Sequence, residues 1–354
     1  MPKKKRRIIN FAKAINEAIF LSMKKDKNIL LMGLGVDDPK GIFDTTKNLD
    51  KSFPSSRVFD MPTSENSMMG FAIGLAISGK RPIITHQRVE FSLLSMDQII
   101  NQAAKWFYMS AGKRNVPLVI RLIIGRGWGQ GPQHSQSLES IFAHIPGLKV
   151  VCPSNPYNAK GLLISSIEDN NPVIFFEHRW SHGIKGYAPE KYYKTPIGKS
   201  SYITRGKDLT IVTFSYMVNE AMIVNKILKE NKIFAEIIDL QSLRPLDKEK
   251  FLISAKKTKK ILVIDNGLMQ YGISSEILAI ISENMVKKNY SISRVGIADS
   301  PIPSTVALAK FSYPNHLTII KEVEKLIKIK IKISKSFQLI ESFDQPNKNF
   351  MGPF

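Results

Sequence analysis

A single acid, Glu65, opens the stretch "TSENSMMGFAIGLAISGKRPI", whose helix-forming centre from Met68 to Ser78 carries no charge. The helix dipole favours a carboxylate in the first turn, and Thr63 or Ser64 can cap beside it, so Glu65 can be simply a helix-start acid. Two features argue for more. Gly70, Gly74 and Ser78 recur every four residues, a small-residue face that lets another backbone approach, and the remaining faces are apolar. Such a helix starts inside the protein or at a subunit contact, where a poorly solvated carboxylate can share a proton with a ligand.

His134, in "GPQHSQ", is the second candidate. A lone histidine is commonly structural, but this one follows a Gly-rich loop at the C-terminal end of a buried strand, where open α/β sheets put ligands. The loop "GRGWGQGP" brings Arg126, Trp128 and Gln130, polar and stacking groups suited to a polar substrate. It lacks the Lys-Ser/Thr ending of a phosphate-binding P-loop. His178 and His182 in "HRWSH" have metal-site spacing, yet no cysteine or acidic cluster completes a shell, so no metal is expected.

The elements that must position these groups form two α/β blocks. In the first, "NILLMG", "SRVFDM", "RPIITH", "PLVIRLIIG", "LKVVCP" and "PVIFFEH" read as strands. Helices are expected from Asn10 through Phe20, after Glu65, over Ser92–Ala111, in "SLESIFAHI" and in "NAKGLLISSIED". His178 to Lys207 lacks periodicity and reads as a linker. The second block alternates strands "LTIVTF", "FAEIIDL", "KILVID" and "ISRVGI" with three helices. Such alternation predicts two doubly wound α/β domains with mostly parallel sheets. The expected limits are 1–185, a linker over 186–206, 207–335, and an irregular tail over 336–354.

Composition narrows the function classes. The chain has 354 residues, 43% hydrophobic and 23% charged, within the range of soluble globular proteins. The longest uncharged apolar run falls short of the ~20 residues a membrane span needs. The basic start "MPKKKRRIIN" is not followed by an apolar signal segment. One cysteine, Cys152, suits a reducing cytoplasm. The net charge of +21 is spread as isolated lysines with no nucleic-acid motif, so no nucleic-acid partner is expected, whereas anionic substrates suit it.

The stretches "TSENSMMGFAIGLAISGKRPI", "SMDQIINQAAKWFYMSAG", "QHSQSLESIFAHIPGLKVVCPSNPYNAKGLLISSIEDNNPVIFFEH" and "IIDLQSLRPLD" together resemble the β subunit of thiamine-diphosphate 2-oxoacid dehydrogenase E1 components. More broadly they are similar to the C-terminal two-thirds of transketolases. The resemblance runs from about Phe11 to Ile327 and implies a pyrimidine-binding domain followed by a transketolase C-terminal-type domain. It implies that Glu65 hydrogen-bonds N1′ of the cofactor's aminopyrimidine, so that the 4′ nitrogen can take the thiazolium C2 proton. It implies that Gln87 and Phe91 line the aminopyrimidine face, and that His134 handles protons on substrate or acceptor.

"THQRVEF" departs from the family pattern, which puts the substrate pocket in doubt there. His86 and Arg88 are candidate substrate contacts with Arg126 and Trp128, and Arg88 can hold a carboxylate or phosphate bidentately or serve a subunit contact. No Gly-Asp-Gly occurs in the chain. The diphosphate and its Mg2+ are therefore expected on an α-type partner chain, with α2β2 assembly and a lipoyl-bearing acyltransferase as possible company. The leading expectation is a β subunit of a 2-oxoacid-decarboxylating enzyme that passes on the acyl or aldehyde unit. Split transketolase-like ketol transfer on a polar or sugar substrate, and a non-catalytic assembly subunit, stay open.

Overall fold

The computed structural model describes residues 6–125, 129–286 and 289–337; Arg126, Trp128 and the tail from 338 lie outside the described residues. The chain starts with β1 (Ile8–Asn10) and α1 (Phe11–Lys25), whose first turn forms because the Asn10 side chain accepts the Lys13 backbone N–H at 2.7 Å. Next come β2 (Ile29–Gly33), α2 (Leu49–Ser52), β3 (Val58–Asp60), α3 (Glu65–Ile77) and β4 (Arg81–His86). A helical run ending in α4 (Trp106–Met109) leads to β5 (Val119–Ile124), α5 (Glu139–His144), β6 (Lys149–Val151), α6 (Pro156–Glu168) and β7 (Val173–His178). The strand β8 (Lys185–Tyr187), inside the stretch expected to lack structure, pairs antiparallel with β1.

The second block runs β9 (Ser201–Thr204), β10 (Leu209–Thr213), α7 (Met217–Glu230), β11 (Ala235–Asp239) and β12 (Ser242–Arg244). It continues through α8 (Lys248–Thr258), β13 (Lys260–Leu268), α9 (Ile273–Met285), β14 (Ser291–Ile297), α10 (Val306–Ser312) and α11 (His316–Ile327).

Two mostly parallel sheets result, as the alternation predicted. The first has the order β12-β6-β7-β5-β4-β2-β3 and is parallel except at β12, which pairs antiparallel with β6. The second has the order β14-β13-β10-β11-β9 and is parallel except at β9. The three residues of β12 belong by position to the second block yet complete the first sheet.

Strand alternation sends neighbouring residues to opposite layers. Ile83 and Val119 pack with Phe11 and Ile15 of α1 and Leu162 of α6, whereas Ile84 and Ile120 pack with Met69 and Ile73 of α3. The second layer is continuous with the second domain, because Val212, Val263 and Phe251 join the same cluster. Each such fully buried aliphatic side chain contributes roughly 1.5–3 kcal/mol, so the two domains share part of their stability.

The helix expected over Ser92–Ala111 is not a single α-helix. It begins as a 3-10 helix over Val89–Ser95, passes through a π-helical turn over Gln98–Ala103, and returns to α geometry in α4. Ser92 Oγ donates to the Val89 carbonyl at 2.6 Å and Ser95 Oγ to the Ser92 carbonyl at 2.9 Å. These local hydroxyl bonds, which periodicity does not reveal, favour the tighter winding at the start.

A fully buried ion pair stands under the C-terminal end of the first sheet. Arg121 donates Nε to Glu177 Oε1 at 2.6 Å and Nη2 to Oε2 at 3.0 Å, with both side chains inaccessible. The same guanidinium reaches Thr45 Oγ1 at 2.8 Å and Thr85 Oγ1 at 3.2 Å. Thr45 in turn donates to the Ile42 carbonyl at 2.6 Å, so the pair anchors the loop that follows β2. Replacing Arg121 by Met leaves Glu177 buried without its main counter-charge. Arg121→Met should cost about 3–5 kcal/mol in urea unfolding, and a cost below about 1 kcal/mol would show that the pair carries no such load.

Candidate active site

The order of the first sheet creates its own ligand position. From β2 the chain leaves towards β3 on one side, while β4 and β5 lie on the other, so the loops after β2 and β4 diverge at the carboxyl edge. Such a switch point leaves a crevice outside the strand ends. A cleft of about 600 Å3 occupies it, lined by residues 35 and 38–43 after β2, by Gln87, Arg88 and Phe91 after β4, and by Gln130 and His134 after β5.

Each wall has a local cause. Asp60 at the end of β3 accepts the Gly35 and Val36 N–H groups at 2.8 and 2.7 Å, which turns the β2 loop over the sheet edge. Gly35 has φ +74°, a left-handed conformation that favours glycine, and a Cβ there would stand 2.6 Å from Gln87 Nε2 and have to displace that side chain where the two loops meet. Gln87 Nε2 donates to the Leu34 carbonyl at 2.9 Å, a bond that does not use its amide oxygen, which can accept from a ligand. Phe91 meets the His134 imidazole edge to face, with ring centres 5.5 Å apart.

The loop bearing His134 is held from two directions. Glu90 accepts the Gln136 N–H at 2.7 Å, and burial pushes the Glu90 carboxyl up from its usual range. Beyond it, Asn266 at the end of β13 donates to Glu139 Oε1 at 2.7 Å, a contact across the domain seam. Glu139 is fully buried, and desolvation, helped by the charge of Asp265, pushes it up to about 7. Asp265 is buried too and also raised, although it accepts the Ser274 N–H at 2.7 Å.

Gln87, Arg88, Phe91 and His134 thus come together on one cleft. Glu65 is the first residue of α3 and is 8% exposed, with no hydrogen bond or ion pair among the described residues. It enters from the β3 end of the same sheet edge and is not one of the cleft's lining residues. His86 requires a correction. It lies within β4, paired alongside Leu122, whereas Gln87 and Arg88 stand past the strand end. Its ring is 1% exposed with no hydrogen-bond partner, and burial lowers its pKa to about 4, so it is a neutral interior residue away from the cleft wall.

His178 and His182 are drawn to separate partners. His178 stacks on Tyr216 at 5.0 Å and accepts the Trp180 N–H, while His182 Nε2 lies 3.2 Å from Glu177 Oε2. Among the described residues no group of three His, Cys, Asp or Glu could hold a metal ion. The sequence reading missed the whole β2 loop. Its signal was the turn-rich "GVDDPKG" directly after a strand, with Gly35 and Gly41 at left-handed φ.

Profiles for the transketolase pyrimidine-binding domain and the transketolase C-terminal domain match residues 7–183 and 198–318. The acetoin:2,6-dichlorophenolindophenol oxidoreductase subunit beta of Bacillus subtilis is 40% identical, covering 85% of this chain and 92% of that protein. The pyruvate dehydrogenase E1 component subunit beta of Porphyra purpurea is 38% identical, covering 89% and 95%. The chain belongs to the transketolase-like E1 β-subunit family. A 2-oxoisovalerate dehydrogenase subunit beta of Bacillus subtilis, 37% identical over 87% of this chain and 95% of its own length, stands in the same group. In fold, this E1 β-type chain is also similar to a solved split gene transketolase, inactive beta4 tetramer. The TM-score is 0.75 at 21% identity, covering 91% of this chain and 99% of that one.

The seam of this E1 β-type chain carries a pH signature. Unfolded Glu139 releases its proton near the usual carboxylate value, whereas the folded group keeps it to about pH 7. Wild type therefore loses stability as pH climbs through that interval, and a Gln at 139 does not. Glu139→Gln should gain on wild type by roughly 2–4 kcal/mol between about pH 4 and 7.5, read from urea midpoints. A gap that stays constant with pH would contradict the buried, protonated state.

Proposed function

We propose that this chain is the β subunit of a thiamine-diphosphate enzyme that decarboxylates a 2-oxoacid and passes on the acyl or aldehyde unit. The observation that carries this reading is the crevice at the switch point, with Gln87, Phe91 and His134 on its walls and a buried, unpartnered Glu65 at the same sheet edge.

These residues fit an aminopyrimidine. Gly35 keeps one wall free of a side chain, Phe91 offers a ring face or edge, and Gln87 offers an amide oxygen. Bound thiamine diphosphate supplies the carbon nucleophile that attacks the substrate carbonyl. The protein's part is to orient and to handle protons. With the cofactor bound, Glu65, largely buried at the start of α3, would hydrogen-bond the aminopyrimidine ring. His134 would exchange a proton with the substrate, and its contact with Phe91 orients the imidazole on the cleft wall.

Without a Gly-Asp-Gly loop, the diphosphate and Mg2+ fall to an α-type chain. We infer an α2β2 complex, with a lipoyl-bearing acyltransferase as acceptor, in the cytoplasm. Among the described residues no helix is long and apolar enough to cross a membrane. Exposed Phe71, Leu94, Tyr108 and Met109, on α3 and the helical run after it, offer apolar surface of the sort subunits bury.

Glu65→Gln should lower turnover of the reconstituted complex by about 100- to 10,000-fold while leaving the thermal midpoint unchanged. Activity within a factor of three of wild type would favour an assembly role instead. Titration of the chain alone with thiamine diphosphate should show very weak binding that tightens only with the α-type partner; tight one-to-one binding to the lone chain would refute the divided site.

A further inference from the structure

The cleft holds a cation that its own surroundings do not neutralise. Arg88 lines the cleft yet is only 3% exposed. Its guanidinium donates to the Gly125 carbonyl at 2.9 Å and to Gln130 Oε1. Both acceptors are uncharged, and no carboxylate among the described residues lies within ion-pair distance of Arg88. Glu90, the acid whose charge favours the Arg88 cation, spends one carboxylate oxygen on the Gln136 N–H. A guanidinium has five N–H donors in a rigid fork, so donors remain for a planar or tetrahedral oxyanion.

A second cation raises the local potential. Arg179 is 5% exposed and sits 4.2 Å from the centre of the Phe43 ring, which itself lines the cleft, and Arg88 lies 5.5 Å from the same ring. Both guanidiniums are buried and each is lowered to about 10, chiefly by desolvation; the Arg88 charge further disfavours the Arg179 cation, while Asp44 favours it. Among the cleft-lining residues the charged ones are Lys40, Arg88 and Asp38, so the wall carries a net positive balance. Bringing two like charges together away from water is costly, and a bound anion offsets that cost.

We propose that Arg88 is a specificity-determining residue that recognises an oxyanion, carboxylate or phosphoryl, carried by the substrate beyond its reacting carbonyl, with Arg179 beside Phe43 reinforcing the attraction. This inference rests on the enzymatic reading above and names the substrate class for that same cleft: 2-oxoacids with an additional anionic group.

The test uses the complex reconstituted with its α-type partner and two matched substrate pairs. 2-Oxoglutarate against 2-oxobutyrate reports on a carboxylate, and 3-phosphohydroxypyruvate against hydroxypyruvate reports on a phosphoryl group. Wild type should prefer the anionic member of at least one pair, and that pair identifies the oxyanion. Arg88→Gln should lower kcat/KM for that member at least tenfold, while the uncharged-tail member stays within about threefold, the difference expected when a charge-assisted fork is lost. Arg88→Lys, which keeps the charge and loses the fork, should retain an intermediate preference; a purely structural role would depress both members alike. No preference in wild type, or an equal loss for both members, overturns the proposal.

A second measurement separates this inference from the enzymatic reading. Calorimetric titration of the full-length chain with inorganic phosphate and with succinate at low salt should show binding that Arg88→Gln weakens at least tenfold. If no thiamine-diphosphate-dependent turnover is found but this Arg88-dependent binding persists, the enzymatic reading fails and the anion site stands. If wild type shows no binding, or the variant binds as tightly as wild type, the anion site fails whatever the turnover shows.

Discussion

One constraint organises the molecule: β2, β3, β4 and β5 all run in the same direction. Parallel strands deliver their following loops to a single edge, so residues far apart in sequence meet there without any long-range motif. Gly35, Glu65 and Gln87 lie within five residues of a strand end and His134 in the ten-residue stretch after β5, and this shared polarity is what gathers them. Helices on both faces keep the strands dry and allow their nearly continuous apolar composition. Reversing any one of these strands would carry its group to the opposite side of the domain.

The edge is useful only if its loops hold still. The Arg121–Glu177 pair fixes the β2 loop from beneath through Thr45, and Asp60 fixes the same loop at its start. Glu90 and the Glu139–Asn266 contact do the same for the loop carrying His134. The second domain therefore contributes to the cleft although none of its residues lines it. Its β13 end braces the histidine loop, and its apolar residues continue the core under β4 and β5. Polar groups this deep are stable only because nearly every donor in the network finds an acceptor.

Much of this was legible in the residues. The strands announced themselves as short β-branched runs; Gln87 and Phe91 were placed by the family resemblance, and His134 by its position after a Gly-rich loop off a strand end. Four things were hidden, each for a physical reason. The β2 loop has no period to read, since its shape comes from left-handed glycines and backbone bonds to Asp60. The tight winding of residues 89–95 depends on serine hydroxyls competing for nearby carbonyls. Arg121 and Glu177, 56 positions apart, look like two ordinary strand residues until the sheet order pairs their strands. His86 was misplaced because one residue separates a side chain inside a strand from one beyond its end.

The short strand β12 has an implication for how the protein is made. A ribosome releases β6 about ninety residues before the segment that will cover its outer edge, as the Ser242–Val150 separation of 92 shows. Until Ser242–Arg244 emerges, the nascent first sheet has a bare flank of unpaired N–H and C=O groups, the kind that invites pairing with a foreign strand. A gene fragment cut at the apparent seam between domains would leave that flank open for good.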